Sequence, residues 1–383
     1  MEKNINPIQR SAGPLSETKK ILLLCVTAVL ISSVMYIIYG AALFRFYGDS
    51  RGFLDMLSHF QKNDFPKDFA RNIDLFVRLQ RPMQVALAYP FSYIFSNVFS
   101  FYFINSVFYI LNGLLLYALY NLLFSKKEYN IIPALLYYCN VIPLHFGFSV
   151  LAETCNHFFY LLNLYFIIKD VFLQSKLEFK PVIKIALFTS LGFFIKENMV
   201  AVFVFLGWIC LYKRFPIKKV IMALSLSFLT FIIPVILWQL FIYITFDFTI
   251  LDWFRHHYQD TVWKNKLSLF RLFLSLGTAF NLLLIPFLLY LIRSRKFRSL
   301  ALGLLIAGLL IPVISVNLID RIVFQVFPAL FLFTSYYCFE EKDAKYKYLY
   351  LALYICFNIG LLILYRQDSV YYYFYNIFLK NRI

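Results

Sequence analysis

The stretch "ILLLCVTAVLISSVMYIIYGAALF", residues 21–44, runs without one charged side chain. Crossing the hydrocarbon core of a bilayer takes about 20 predominantly apolar residues in a helix, so this run reads as a membrane span. It is longer than the apolar core of a cleaved signal, about 7–15 residues, and no A-x-A-like site follows it. Similar runs recur at 99–124, 131–148, 154–168, 183–195, 198–212, 219–245, 271–292, 299–316, 322–339 and 348–365. A chain of 383 residues that is 61% hydrophobic and 21% aromatic cannot hide that surface in one soluble core. The expected fold is all-α: a polytopic transmembrane helical bundle of about eleven spans, forming a single integral membrane domain over 1–383.

Charge sets the orientation. With the N-terminal segment 1–20 in the cytoplasm, the inner connections hold Lys126 and Lys127, Lys169 to Lys184, Lys213 to Lys219, Arg293 to Arg298, and Lys342 to Lys347. Most of the +17 net charge then faces inward, as the positive-inside rule requires. Nucleic-acid binding is not needed to explain the basic surplus. An odd number of spans puts the tail 366–383 outside, so a reporter active only in the cytoplasm should be silent when fused at Ile383. Strong activity there would mean a miscounted span.

The six cysteines, Cys25, Cys139, Cys155, Cys210, Cys338 and Cys356, lie in or beside apolar runs with no C-x-x-C spacing and read as buried thiols. The chain shows no internal repeat, no Pro-rich or Ser-rich linker, and no Gly-rich nucleotide loop.

Function is expected where the apolar pattern is broken, and on the outer side it is broken repeatedly. The loop within 47–98 carries Asp49, Asp55, Asp64, Asp68 and Asp74 with Arg51, Arg71, Arg78 and Arg81. Phe53, Leu54, Leu57 and Phe60 recur there at helical spacing, the pattern of amphipathic helices lying in the membrane interface with the apolar face down. Glu153 interrupts "FSVLAETCNHFF", and Lys196 and Glu197 interrupt "FFIKENMVAVF". An ionisable group costs about 2.5–3.5 kcal/mol near the centre of a spanning helix, so such groups usually line a polar cavity. The outer loop 246–270 adds Trp253, Tyr258 and Trp263, which suit a headgroup belt or a sugar-stacking surface. His256 and His257 lack further spaced ligands, so no metal site is assigned.

Taken in order, an acid after the first span, a charged amphipathic loop, "RP" followed by "YPFSYIF", "AET" before an aromatic span, the "GFFIKE" hairpin, and Arg321 seven residues before Pro328 resemble one group. That series resembles the GT-C superfamily of membrane glycosyltransferases, which includes protein O-mannosyltransferases and lipid A aminoarabinose transferases. The "GDS" and "RPMQVALAYP" of this chain depart from the doubled acid and the R-x-P-P-L-Y usual in those families. The subfamily, and whether a divalent metal or a second acid assists, therefore stay open.

The resemblance implies a sugar moved from a polyprenyl-phosphate donor to a glycan, lipid or protein acceptor at the outer face of the inner membrane. Asp49 would be the general base and Glu153 a second acid; Lys196, Arg321 and Arg81 would hold the donor phosphate. The residues leave bland alternatives. Asp-Ser before a periodic apolar segment is a good helix cap, and Glu197 and Asp320 offer Lys196 and Arg321 local ion pairs, although adjacent helical residues point apart. A transporter or flippase of a lipid-linked sugar would use similar cations, but inverted repeats with broken helices, its usual signature, are not visible. A glycan polymerase or ligase differs mainly in acceptor.

Overall fold

A computed structural model describes residues 16–39, 48–65, 78–124, 127–253, 276–278, 280–314, 324–341 and 346–366, with side chains described except at a few helix ends, Asp49 among them. Among the described residues the chain is helical and contains no strand. Every apolar run of the sequence carries helix. The elements are α1 (Glu17–Tyr39), α2 (Gly48–Lys62), α3 (Pro82–Ala88), α4 (Asn97–Leu123), α5 (Ile132–Cys139), α6 (Val141–Phe146), α7 (Glu153–Phe166) and α8 (Phe179–Phe193). There follow α9 (Ala201–Tyr212), α10 (Ile217–Phe246), α11 (Leu284–Arg293), α12 (Arg298–Ile314), α13 (Phe327–Ser335) and α14 (Lys347–Arg366). Three of these, α1, α4 and α10, are long and apolar enough to cross a membrane.

The run 131–148 is not one helix. Asn140 adopts an extended conformation between α5 and α6, and its side chain caps α6 through the amide of Ile142 at 3.0 Å. Pro133 and Pro143 sit in the first turns of the two helices, where the missing N–H costs nothing.

Interior polar groups hold the bundle together where the backbone leaves its helices. The buried stretch Gly147 to Ala152 between α6 and α7 is irregular, and non-helical backbone is tolerated at such depth only when its polar groups find partners. Asn105 donates to the carbonyls of Ser149 (2.5 Å) and Leu151 (3.2 Å). Gln84 also donates to Leu151, and Thr154 reaches back to the carbonyl of Gly147 at 2.8 Å. Asn112, two turns along α4 from Asn105, bonds the Thr154 carbonyl and the Tyr137 hydroxyl, each at 3.0 Å.

Two features differ from the sequence expectation. The apolar face of α2 is not laid on lipid: Phe53, Met56 and Leu57 are buried in the protein, with Phe53 against Phe101 of α4 at 6.1 Å between ring centroids. An amphipathic helix has the same pattern whether its apolar stripe meets lipid or protein. Of the cysteines only Cys155 and Cys210 are buried, while Cys25, Cys139 and Cys338 are half-buried and Cys356 is exposed on α14 beside the exposed Phe357 and Ile359.

The bundle has two chemically distinct ends. At one, Tyr36 near the end of α1 meets Phe99 at the start of α4 (5.5 Å), and Trp238 of α10 donates to the carbonyl of Leu79 at 2.8 Å. At the other, basic residues rest on aromatic rings: Lys213 over Phe172 (4.3 Å), Lys296 over Tyr336 (5.1 Å) and Lys184 over Phe166 (3.7 Å). Tyr120 at that end donates to Glu340 at 2.7 Å.

Candidate functional site

The first end carries the ionisable groups that break the apolar pattern. Glu153 opens α7, placed there by the irregular stretch that the amides of α4 and α3 hold. Lys196 lies in the hairpin after α8, where its own N–H bonds the Gly192 carbonyl at 2.9 Å and its backbone is extended. Asn156, one turn into α7, donates to the carbonyls of both Gly192 and Lys196 at 3.2 Å, which fixes the hairpin against the helix. The result is a direct ion pair, Lys196 Nζ to Glu153 Oε1 at 2.6 Å, with the side chains only 9% and 4% exposed.

The amide of Asn156 is itself oriented by Gln325, whose Nε2 donates to Asn156 Oδ1 at 2.9 Å. Gln325 can come that close because Gly308 of α12 has no side chain. A Cβ there would stand 2.6 Å from the Gln325 carbonyl oxygen and 2.9 Å from Val326 Cα, both backbone atoms. Gly308→Ala is therefore expected to destabilise the protein by about 1–3 kcal/mol, the usual cost of overpacking. Thermal denaturation in detergent would read it, and an unchanged midpoint would show that the contact has slack.

A second pair is built on the same hairpin. Arg81 precedes Pro82, which supplies the first residue of α3, and its own backbone, at φ −124° and ψ 53°, lies outside the helix. Its guanidinium makes a fork onto Glu197, with Nη2 to Oε1 at 2.6 Å and Nε to Oε2 at 3.0 Å. The segment carrying Arg81 is fastened on both sides, through Trp238 to Leu79 and through the N–H of Met83 to the Phe194 carbonyl at 3.2 Å. Arg78, buried, stands over the ring of Phe53 at 5.1 Å, one helical turn after Asp49 in α2.

These contacts correct the local pairing open to Lys196. Its direct ion partner is Glu153, 43 positions away, while Glu197 turns to Arg81, 116 positions away. The extended backbone at Lys196 separates the two neighbouring side chains. Of the site residues read from sequence, Glu153, Lys196 and Arg81 are thus gathered on one hairpin and its supports. Asp49 lies in the first turn of α2, which begins at Gly48, so it sits inside the helix rather than at the cap position. Its carboxyl group is outside the described side chains, and Arg321, Asp320, and the loop residues His256, His257, Tyr258 and Trp263 lie outside the described residues. No group of three or more His, Cys, Asp or Glu able to hold a metal occurs among the described residues.

Electrostatics act on Glu197. Burial alone would raise its pKa, but Arg81 and, after it, Lys196 outweigh burial and hold the carboxyl below its ordinary 4.5. A depressed carboxyl pKa stabilises the fold above the unfolded value and loses that contribution as pH falls through the folded one. The side chain is 57% exposed, so solvent screens much of the effect. Below about pH 4.5 the native protein is expected to lose stability more steeply than Glu197→Gln. Identical acid limbs in denaturation scans of the two would contradict this.

Sequence reasoning missed Gln84, Asn105, Asn112, Asn156 and Gln325, all buried. Their signal was present, since amides inside apolar runs seek buried partners. Comparison with protein-family models, with curated proteins and with solved structures finds no match for this chain.

Proposed function

We propose that this chain is a polytopic membrane glycosyltransferase of GT-C type, with about eleven spans and its site on the outer face of the inner membrane. The donor is a polyprenyl-phosphate sugar and the acceptor a hydroxyl-bearing glycan, lipid or protein. The observation that carries the reading is the pair of ion pairs, Lys196 with Glu153 and Arg81 with Glu197, set on one hairpin at the bundle end where α2 lies. The gathering of Lys213 and Lys296 at the opposite end supports the orientation, because basic residues favour the cytoplasmic face.

In the proposed reaction the acceptor hydroxyl attacks the anomeric carbon and gives its proton to Asp49. The bond from that carbon to the phosphate oxygen breaks, and the electron pair leaves with the polyprenyl phosphate. Lys196, Arg81 and Arg321 hold that phosphate, on which charge grows in the transition state. Glu153 fixes the Lys196 ammonium where it can act. A cleft of about 410 Å³ between α1 and α4, lined by residues such as Val29, Tyr36, Phe99, Tyr102 and Ile110, is almost wholly apolar and suits a hydrocarbon chain.

The reading is tested by mass spectrometry of lipid co-purifying with Asp49→Asn protein. A stalled donor, the polyprenyl-phosphate sugar, is the expected enrichment over the native protein. Lipid extracts with no polyprenyl phosphate in either sample would contradict the reading.

A further inference from the structure

Arg81 presents a filled fork. Both of its hydrogen bonds run to the two oxygens of one carboxylate, Glu197, at 2.6 and 3.0 Å. A phosphate offers a guanidinium the same two-oxygen edge as a carboxylate, with more negative charge. The two partners are not equally held. The Arg81 side chain is 17% exposed on a segment fastened through Leu79, Pro82 and Met83, whereas Glu197 is 57% exposed at the tip of the hairpin. If the pair opens, the carboxylate passes to water at little cost while the guanidinium stays in place, mostly covered and in need of an anion.

We infer that Glu197 fills the anion seat of Arg81 in the free protein and is displaced by the phosphate of a lipid. The inference rests on the proposed donor chemistry and adds a specificity device to it. Glu197 is an intramolecular competitor that keeps Arg81 paired between turnovers, lowers affinity for the lipid phosphate, and cannot be displaced by an uncharged lipid. Glu197 touches Arg81 and not the reacting atoms, so it acts as a positioning residue. Lys196, next in sequence, forms its ion pair with the buried Glu153, so the two-pronged hydrogen bonding that is exchanged is that of Arg81.

The test is binding to purified protein in detergent, with farnesyl phosphate, farnesol and inorganic phosphate as separate probes. Native protein, Glu197→Gln, Arg81→Lys and the Glu197→Gln/Arg81→Lys double variant are compared. Lysine keeps the charge and much of the stem but lacks the two-pronged edge, which guards against a variant that merely fails to fold. Glu197→Gln is expected to bind farnesyl phosphate about tenfold more tightly, with the gain lost in the double variant and farnesol binding equal in all four. Unchanged or weaker farnesyl phosphate binding in Glu197→Gln, or a gain that survives in the double variant, overturns the inference. Inorganic phosphate binding as tightly as farnesyl phosphate overturns the assignment to a lipid. Failure of the transferase reading has a different signature, since binding would follow the expected pattern while no sugar is transferred.

Discussion

Lys196→Met is expected to destabilise the protein by about 3–5 kcal/mol, the cost of removing one member of a buried ion pair. The pair is 2.6 Å long with both side chains nearly sealed from solvent, so its loss removes a close counter-charge from a carboxylate that water reaches poorly. Replacing both members by neutral groups of similar size is often close to neutral in stability. Lys196→Met combined with Glu153→Gln should therefore recover most of the loss, with a coupling of about 2 kcal/mol or more between the sites. Unfolding in mixed detergent micelles measures both. The double variant also separates folding from chemistry. If Lys196 holds the leaving phosphate, the folded double variant still loses about tenfold or more in kcat/KM for the lipid donor, equivalent to about 1.4 kcal/mol. Normal turnover in that variant would strike Lys196 from the site and leave the pair as architecture alone.

Asp49→Asn has the opposite profile. The amide keeps the shape of the side chain in the first turn of α2 but cannot take a proton. Loss of a negative charge near a helix N-terminus costs about 0.3–1 kcal/mol, whereas loss of a general base costs about 10²–10⁴ in rate. Asp49→Asn should thus insert and melt nearly as the native protein does while transfer falls at least a hundredfold. Near-normal turnover would remove the general-base role and leave Asp49 with a helix-dipole role only.

The helical bundle was legible in the sequence because an apolar run and its length are local properties, and helix appears within every run. The break at Asn140 was less so. Two prolines ten residues apart in one apolar stretch are compatible with a continuous helix or a broken one, and the capping bond of Asn140 decides it. The fate of α2 was not legible, since Phe53, Met56 and Leu57 fit a lipid surface and a protein groove equally well. The site divides in the same way. Breaks in hydropathy marked Glu153, Lys196 and Arg81 as unusual, yet their partners lie 43 and 116 positions away, and no spacing rule reaches across such distances. Glu197 was visible only as a neighbour of Lys196, and its pairing with Arg81 depends on the extended backbone at Lys196 and on the fastening of Arg81 by α10 and the hairpin.

The central claim, that the cluster at this end of the bundle carries out glycosyl transfer rather than movement of an intact lipid-linked sugar, is tested most directly by following a labelled sugar. Purified protein is reconstituted into vesicles holding a polyprenyl-phosphate donor whose sugar is isotopically labelled, with a cell-envelope extract as acceptor. The native protein is expected to move the label from the lipid into acceptor material, with free polyprenyl phosphate released in equal amount, and Asp49→Asn protein to leave the donor intact. Label that changes leaflet while remaining bonded to its lipid, in native and variant protein alike, would contradict the transferase account.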